Sequence, residues 1–193
     1  MKMRSLVALA AVLGGLSLST GSVGAVHEGI CAEAIASGAY NVIIGAGSIS
    51  GTSGNDVIIG SNDADSISAG SGNDIVCGRG GADWIDGGSG NDTLIGDIND
   101  NLDDIGPAGT PGGDTLQGGS GDDVLYGDGG NDILEGASGN DRLIAGGGDD
   151  ALSGGSGSDT LNGDAPGASG VDNCDGGSGT DSQTNCESTS TIP

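Results

Sequence analysis

The sequence predicts an all-β fold, a right-handed parallel β-solenoid wound from nine-residue units, and three observations predict it. The chain has 193 residues with 44 Gly, no Phe, one Trp and two Tyr, so a core of large side chains cannot be assembled. Chains so rich in glycine are either disordered or periodic. A period of nine then runs from Gly51 to Thr184, and within it an acid and a branched aliphatic stand two residues apart, unit after unit.

The first five units are GTSGNDVII (51–59), GSNDADSIS (60–68), AGSGNDIVC (69–77), GRGGADWID (78–86) and GGSGNDTLI (87–95). An insertion, 96–108, precedes GTPGGDTLQ (109–117), GGSGDDVLY (118–126), GDGGNDILE (127–135), GASGNDRLI (136–144), AGGGDDALS (145–153) and GGSGSDTLN (154–162). A second insertion, 163–166, precedes GASGVDNCD (167–175) and a decayed last unit, GGSGTDSQT (176–184). Position six is Asp in all thirteen units: Asp56, Asp65, Asp74, Asp83, Asp92, Asp114, Asp123, Asp132, Asp141, Asp150, Asp159, Asp172 and Asp181. Position eight is Ile, Leu or Val in the first eleven, then Cys174 and Gln183.

Residue types give each unit its shape. Gly at positions one, two and four, with Asn or Asp at five, is expected to supply the positive-φ conformations of a tight turn. The last three residues, such as Val57-Ile58-Ile59, have the branching of a very short strand. Only position eight is expected to point inward. Turn, strand, turn, strand makes one coil of two units, and coils stack at about 4.8 Å around a thin aliphatic core. Asp63 in place of Gly, and Ala69 and Ala145 at the head of their units, are expected to weaken the turn locally, because Ala takes positive φ at a cost.

Charge narrows the function. Asp and Glu number 28, and beyond Lys2 and Arg4 only Arg79 and Arg142 oppose them. Such a polyanion excludes nucleic-acid phosphates and anionic membrane surfaces as partners and attracts cations. Stacking brings the Asp of one unit beside that of the unit two later, and like charges about 5 Å apart repel by about 3 kcal/mol at an effective dielectric near 20. A divalent ion between coils reverses that sign. Two carboxylates and backbone carbonyls make an all-oxygen shell of about six ligands, which suits Ca2+ better than magnesium. Zinc lacks His or thiolate ligands here. Thirteen units allow at most eleven such pairs, and metal binding and folding are expected to be one event.

The pattern GGxGxDxUx, with U apolar, resembles RTX, or haemolysin-type, calcium-binding repeats over residues 51–184. The resemblance implies a parallel β-roll with calcium between adjacent turns. It also implies ligation by the thirteen position-six Asp residues, in pairs such as Asp56/Asp74, Asp65/Asp83, Asp114/Asp132 and Asp123/Asp141. Toxins and proteases of that family carry an effector domain and a C-terminal export signal, neither of which is recognised here. The ending CDGGSGTDSQTNCE (174–187) looks more like the small exported proteins of this type found in actinobacteria.

The ends of the chain point outside the cell. A basic start, Met1-Lys2-Met3-Arg4, an apolar run from Leu6 to Leu18 and small residues up to Ala25 read as a signal peptide over 1–25. The run is too short and too Gly-broken for a membrane span. The mature chain then begins near Val26, secreted, with His27 in a flexible tail. Residues 26–50 form an N-terminal cap, in which Tyr40 to Gly51 supply the first strands of the solenoid. Their likeness to a dinucleotide fingerprint fails, because no helix-forming stretch follows. Residues 185–193 are read as a tail. Cys31, Cys77, Cys174 and Cys186 suit two disulfides in an oxidising compartment. Cys174–Cys186 would close the decayed last unit, and Cys31–Cys77 would tether the N-terminal segment.

Asp97, Asp100, Asp103 and Asp104 in the first insertion lack an EF-hand pattern and read as a solvated loop. Catalysis has no foothold, because His27 is the only histidine and no Lys follows Lys2. Trp84 and Tyr126 read as isolated surface aromatics. The expectation is a monomeric, non-enzymatic, exported calcium-binding structural or surface-associated module. Recognition of a cell-surface partner or glycan on the roll is the alternative, and a hydrolase using paired acids is a remoter one.

Overall fold

A computed structural model describes residues 23–97, 112–164 and 170–190, with side chains from 30 to 187 within those ranges. Most of the expected signal segment, Asp100, Asp103, Asp104 and residues 165 and 166 of the second insertion lie outside the described residues. The fold is an all-β stack of parallel strands in two facing sheets, preceded by one helix, α1 (Val23–Ser37).

Numbered along the chain, the first sheet holds β1 (Asn41–Ile44), β3 (Asp56–Ile59), β5 (Ile75–Arg79), β7 (Thr93–Asp97), β9 (Val124–Gly129), β11 (Arg142–Gly147), β13 (Thr160–Asp164) and β16 (Ser182–Thr184). The second holds β2 (Ser48–Ser50), β4 (Ser66–Ser71), β6 (Trp84–Ser89), β8 (Thr115–Ser120), β10 (Ile133–Ser138), β12 (Ala151–Gly157), β14 (Asn173–Asp175) and β17 (Ser188–Ser190). A short β15 (Ser178–Gly179) pairs with β12. β15 apart, the chain alternates between the sheets, so consecutive strands lie in opposite layers.

Register follows the repeat. Ile58 pairs with Val76, Val76 with Leu94 and Leu94 with Leu125 in the first sheet. In the second, Ile67 pairs with Ile85, Ile85 with Leu116 and Leu116 with Leu134. These position-eight side chains are buried and form a single core with Ile49, Ala69, Ala145 and Cys174. The pairing of β7 with β9 and of β6 with β8 steps across the first insertion without a slip.

Two boundaries differ from the repeat count. Asp97 pairs with Arg79 within β7, and Asp164 pairs with Gly146 within β13. Gly96-Asp97 and Gly163-Asp164 therefore occupy positions one and two of their units, and each insertion enters after position two. The sequence offers Gly109 and Gly167 as equally good unit heads, and only strand pairing decides between them. The roll also runs past Thr184, because Ser188 to Ser190 pair with Asn173 to Asp175. The segment read as a tail thus contains a strand.

The turns correct the expected use of glycine. Positive φ falls at positions two and four, as at Gly119 and Gly121. Among the described residues position one never has it, so Ala69 and Ala145 carry no backbone strain; both are buried in the core. Arg79, Asp128 and Ala137 bear the strained conformation at position two instead.

Helix α1 replaces the expected flexible tail: His27 lies within it, and it spans both sides of the Ala25–Val26 bond. Ala-rich sequence favours the helix, and packing on β3 and β5 anchors it. Cys31 is bonded to Cys77, and beneath the helix Cys31, Cys77 and Ile95 are buried with Ile75 and Tyr126 beside them. Tyr126 is therefore not an isolated surface aromatic, whereas Trp84 on the second sheet is 42% exposed. The other bond joins Cys174 and Cys186, as expected, and no described cysteine is free.

Candidate metal sites along the two edges

Each position-six Asp stands at the first residue of a strand (Asp56) or immediately before one, so alternate units present theirs on opposite edges of the roll. One edge carries Asp56, Asp74, Asp92, Asp123, Asp141, Asp159 and Asp181; the other carries Asp65, Asp83, Asp114, Asp132, Asp150 and Asp172. All are buried except Asp181, which is half-buried near the end of the stack.

The two carboxylate oxygens have different partners. Oδ1 of Asp74 accepts the backbone N–H of Asp56 at 2.8 Å, and Oδ1 of Asp83 accepts that of Asp65 at 2.8 Å. The same bond joins every expected pair of units, through Asp92, Asp114, Asp123, Asp132, Asp141, Asp150, Asp159, Asp172 and Asp181. Each carboxylate thus satisfies a main-chain donor of the coil before it.

Oδ2 is different. In Asp74, Asp83, Asp92, Asp114, Asp123, Asp132, Asp141, Asp150, Asp159 and Asp172 it is buried and accepts no hydrogen bond from the protein. Asp74 and Asp150 are in this set although Ala69 and Ala145 head their units, so the methyl does not supply a partner. Backbone carbonyls face the same space. A methyl added to Gly87 would meet Asp92 Oδ2 at 2.6 Å and the Gly118 carbonyl oxygen at 2.8 Å. At Gly154 it would meet Asp159 Oδ2 at 2.6 Å and the Gly176 oxygen at 2.7 Å. Acceptor oxygen confronts acceptor oxygen, with no proton between them to share.

The first unit on each edge solves this without an ion. Asp56 Oδ2 accepts the N–H of Thr52 at 2.6 Å and its hydroxyl at 2.9 Å, and Asn41 donates its amide to Oδ1. Asp65 Oδ2 accepts the N–H of Ser61 at 2.6 Å and its hydroxyl at 3.0 Å, while Gly47 N–H donates to Oδ1. At the other end Glu187 takes the place of the next Asp and accepts the N–H of Asp172 at 2.7 Å. The nine-residue count misses Asn41 and Glu187 because each stands fifteen residues from its partner rather than eighteen.

Burial raises the carboxyl pKa values first of all; the main-chain N–H offsets part of this, and neighbouring carboxylates add to it. Asp92 and Asp150 are pushed to about 6, Asp83, Asp123 and Asp132 to about 7, and Asp114 to about 8. Asp97 reaches about 9, through burial and then the charge of Asp114.

Among the described residues no three His, Cys, Asp or Glu side chains converge as a metal cluster. An ion on these edges must therefore be held by one or two carboxylates together with main-chain carbonyls. That donor set is all oxygen, and it fits a hard cation such as calcium. Bound there, calcium supplies the positive charge that the facing acceptor oxygens lack.

Fold and edges together define a calcium-binding β-roll. The RTX calcium-binding nonapeptide repeat family matches residues 43–76, 50–85, 78–102, 108–143 and 135–165, more than half of the chain. The chain belongs to this family, and its repeats support a calcium-binding structural module. No curated protein matches it.

Proposed function

We propose that the chain is an exported structural module whose roll is completed by calcium ions seated between successive coils on both edges. The observation that carries this is the buried, unpartnered Oδ2 of ten Asp residues, each on an edge where main-chain carbonyls also face inward. Asp74, Asp83, Asp92, Asp114, Asp123, Asp132, Asp141, Asp150, Asp159 and Asp172 are the proposed ligands through Oδ2, and Asp181 extends one row. Asp56 and Asp65, already served by Thr52 and Ser61, act chiefly as metal-independent caps. Oδ1 ties each coil to the one before it, and Oδ2 remains for the ion, so one side chain joins folding to binding.

Export is supported by the basic and apolar start of the chain and by two disulfides. Among the described residues no helix is long and apolar enough to cross a membrane. The decisive experiment is a calcium titration of the purified, chelator-stripped chain followed by far-ultraviolet circular dichroism. A cooperative gain of β signal is expected, with magnesium much less effective; an unchanged spectrum and melting point would refute the proposal.

A further inference from the structure

Position two of the repeat is occupied in two conformations, and the difference marks four units. Most position-two residues have positive φ, whether Gly119, Arg79 or Ala137. Thr52, Ser61, Asp97 and Asp164 do not. In Thr52 and Ser61 this conformation delivers the side-chain hydroxyl to Oδ2 of the Asp of the same unit, at 2.9 and 3.0 Å. Asp97 and Asp164 place a carboxylate where those hydroxyls stand, at the root of each insertion.

Asp97 is 1% exposed. Its Oδ2 accepts the N–H of Gly112 at 3.1 Å, while its Oδ1 is buried with no hydrogen-bond partner. Its strongest charged neighbour is Asp114, the position-six residue of its own unit, whose Oδ2 is also buried and unpartnered. Asp164 repeats the arrangement: its Oδ1 and Asp172 Oδ2 are both buried and unpartnered, and its charge acts on Asp172. Where Thr52 and Ser61 donate a proton, these units set two acceptors against each other.

We infer that Asp97 and Asp164 are additional calcium ligands outside the position-six column, forming with Asp114 and Asp172 two carboxylate-rich sites that load before the regular ones. Affinity in oxygen sites rises with the number of charged ligands, and each of these has one carboxylate more than its neighbours. Both sites lie on the same edge, three coils apart, at the roots of the two insertions.

The test is calorimetric calcium binding to the full chain. Compared are the native chain, the Asp97→Asn/Asp164→Asn and Asp97→Ser/Asp164→Ser variants, and Glu135→Gln as a control for charge on the outer face. The Asn variant should lose the tightest binding class, with the first ions held about tenfold more weakly, while keeping its β spectrum in saturating calcium. The Ser variant copies the Ser61–Asp65 pair. It should also lose that class, yet keep more β signal in chelator than the native chain. Glu135→Gln should match the native isotherm. Isotherms in both double variants that overlay the native one would overturn this inference alone. Absence of calcium binding by the native chain would instead remove the reading on which both sites depend.

Discussion

A single carboxylate does two jobs on this roll, and its two oxygens can be tested apart. Asn at Asp123 or Asp132 keeps an oxygen for the N–H of Asp92 or Asp114 but removes the charge for an ion. Each substitution should shift the calcium midpoint upward several-fold and lower its cooperativity, read by circular dichroism, and the two together should do more than either. Glycine is constrained at a different position. Gly121 has φ +128° and an added methyl would fall against the Gly90 carbonyl oxygen, so Gly121→Ala is expected to cost about 2 kcal/mol or more, measured by thermal melting in calcium. Proton and metal also compete here. Carboxyls at about 6 to about 9 lie above the ordinary value of about 3.9, so the calcium-free roll binds more protons than the unfolded chain across that window. Its stability is therefore fullest near pH 4 and is lost as pH rises towards about 9. With calcium the dependence should reverse, because protons then displace the ion; melting curves in chelator and in calcium at several pH values would show the two opposite slopes.

At the scale of elements, the strands were legible and their surroundings less so. An Asp column held through thirteen units and an aliphatic column held through the first eleven give strand, turn and inward face directly. The ends of the stack were hidden because Asn41 and Glu187 break the spacing, and a carboxamide and a longer acid replace the Asp. Helix α1 was hidden for another reason: its apolar contacts lie on the outer face of the first sheet, which the nine-residue unit treats as solvent. A period of eighteen would have exposed it. Position nine reads Ile59, Cys77, Ile95, Tyr126 and Ile144 in one sheet before ending in Asn162 and Thr184, but Ser68, Asp86, Gln117, Glu135, Ser153 and Asp175 in the other. From Ile59 to Ile144 this face of the roll is therefore apolar and needs a cover. Cys31→Ser with Cys77→Ser should loosen α1 while leaving the edges intact. Increased binding of a hydrophobic dye and altered Tyr126 fluorescence are expected, with the calcium midpoint nearly unmoved.

At the scale of the molecule, the stack has a direction. Every coil offers its main-chain N–H to the carboxylate of the coil that follows. The first coils must find other donors for their carboxylates, and the last must find an acceptor for its N–H. Asn41, Gly47, Thr52 and Ser61 meet the first need, and Glu187 meets the second for Asp172. The termini are therefore chemically unlike each other and unlike the middle, which discourages one molecule from adding to the end of another. The interior, by contrast, is modular: duplicating residues 118–135 should lengthen the particle by about 4.8 Å and raise the calcium count by two, measurable by small-angle scattering and by metal analysis. Length in this architecture is written by how many identical rungs lie between two fixed stops, so evolution or design can lengthen the ladder without redrawing either stop.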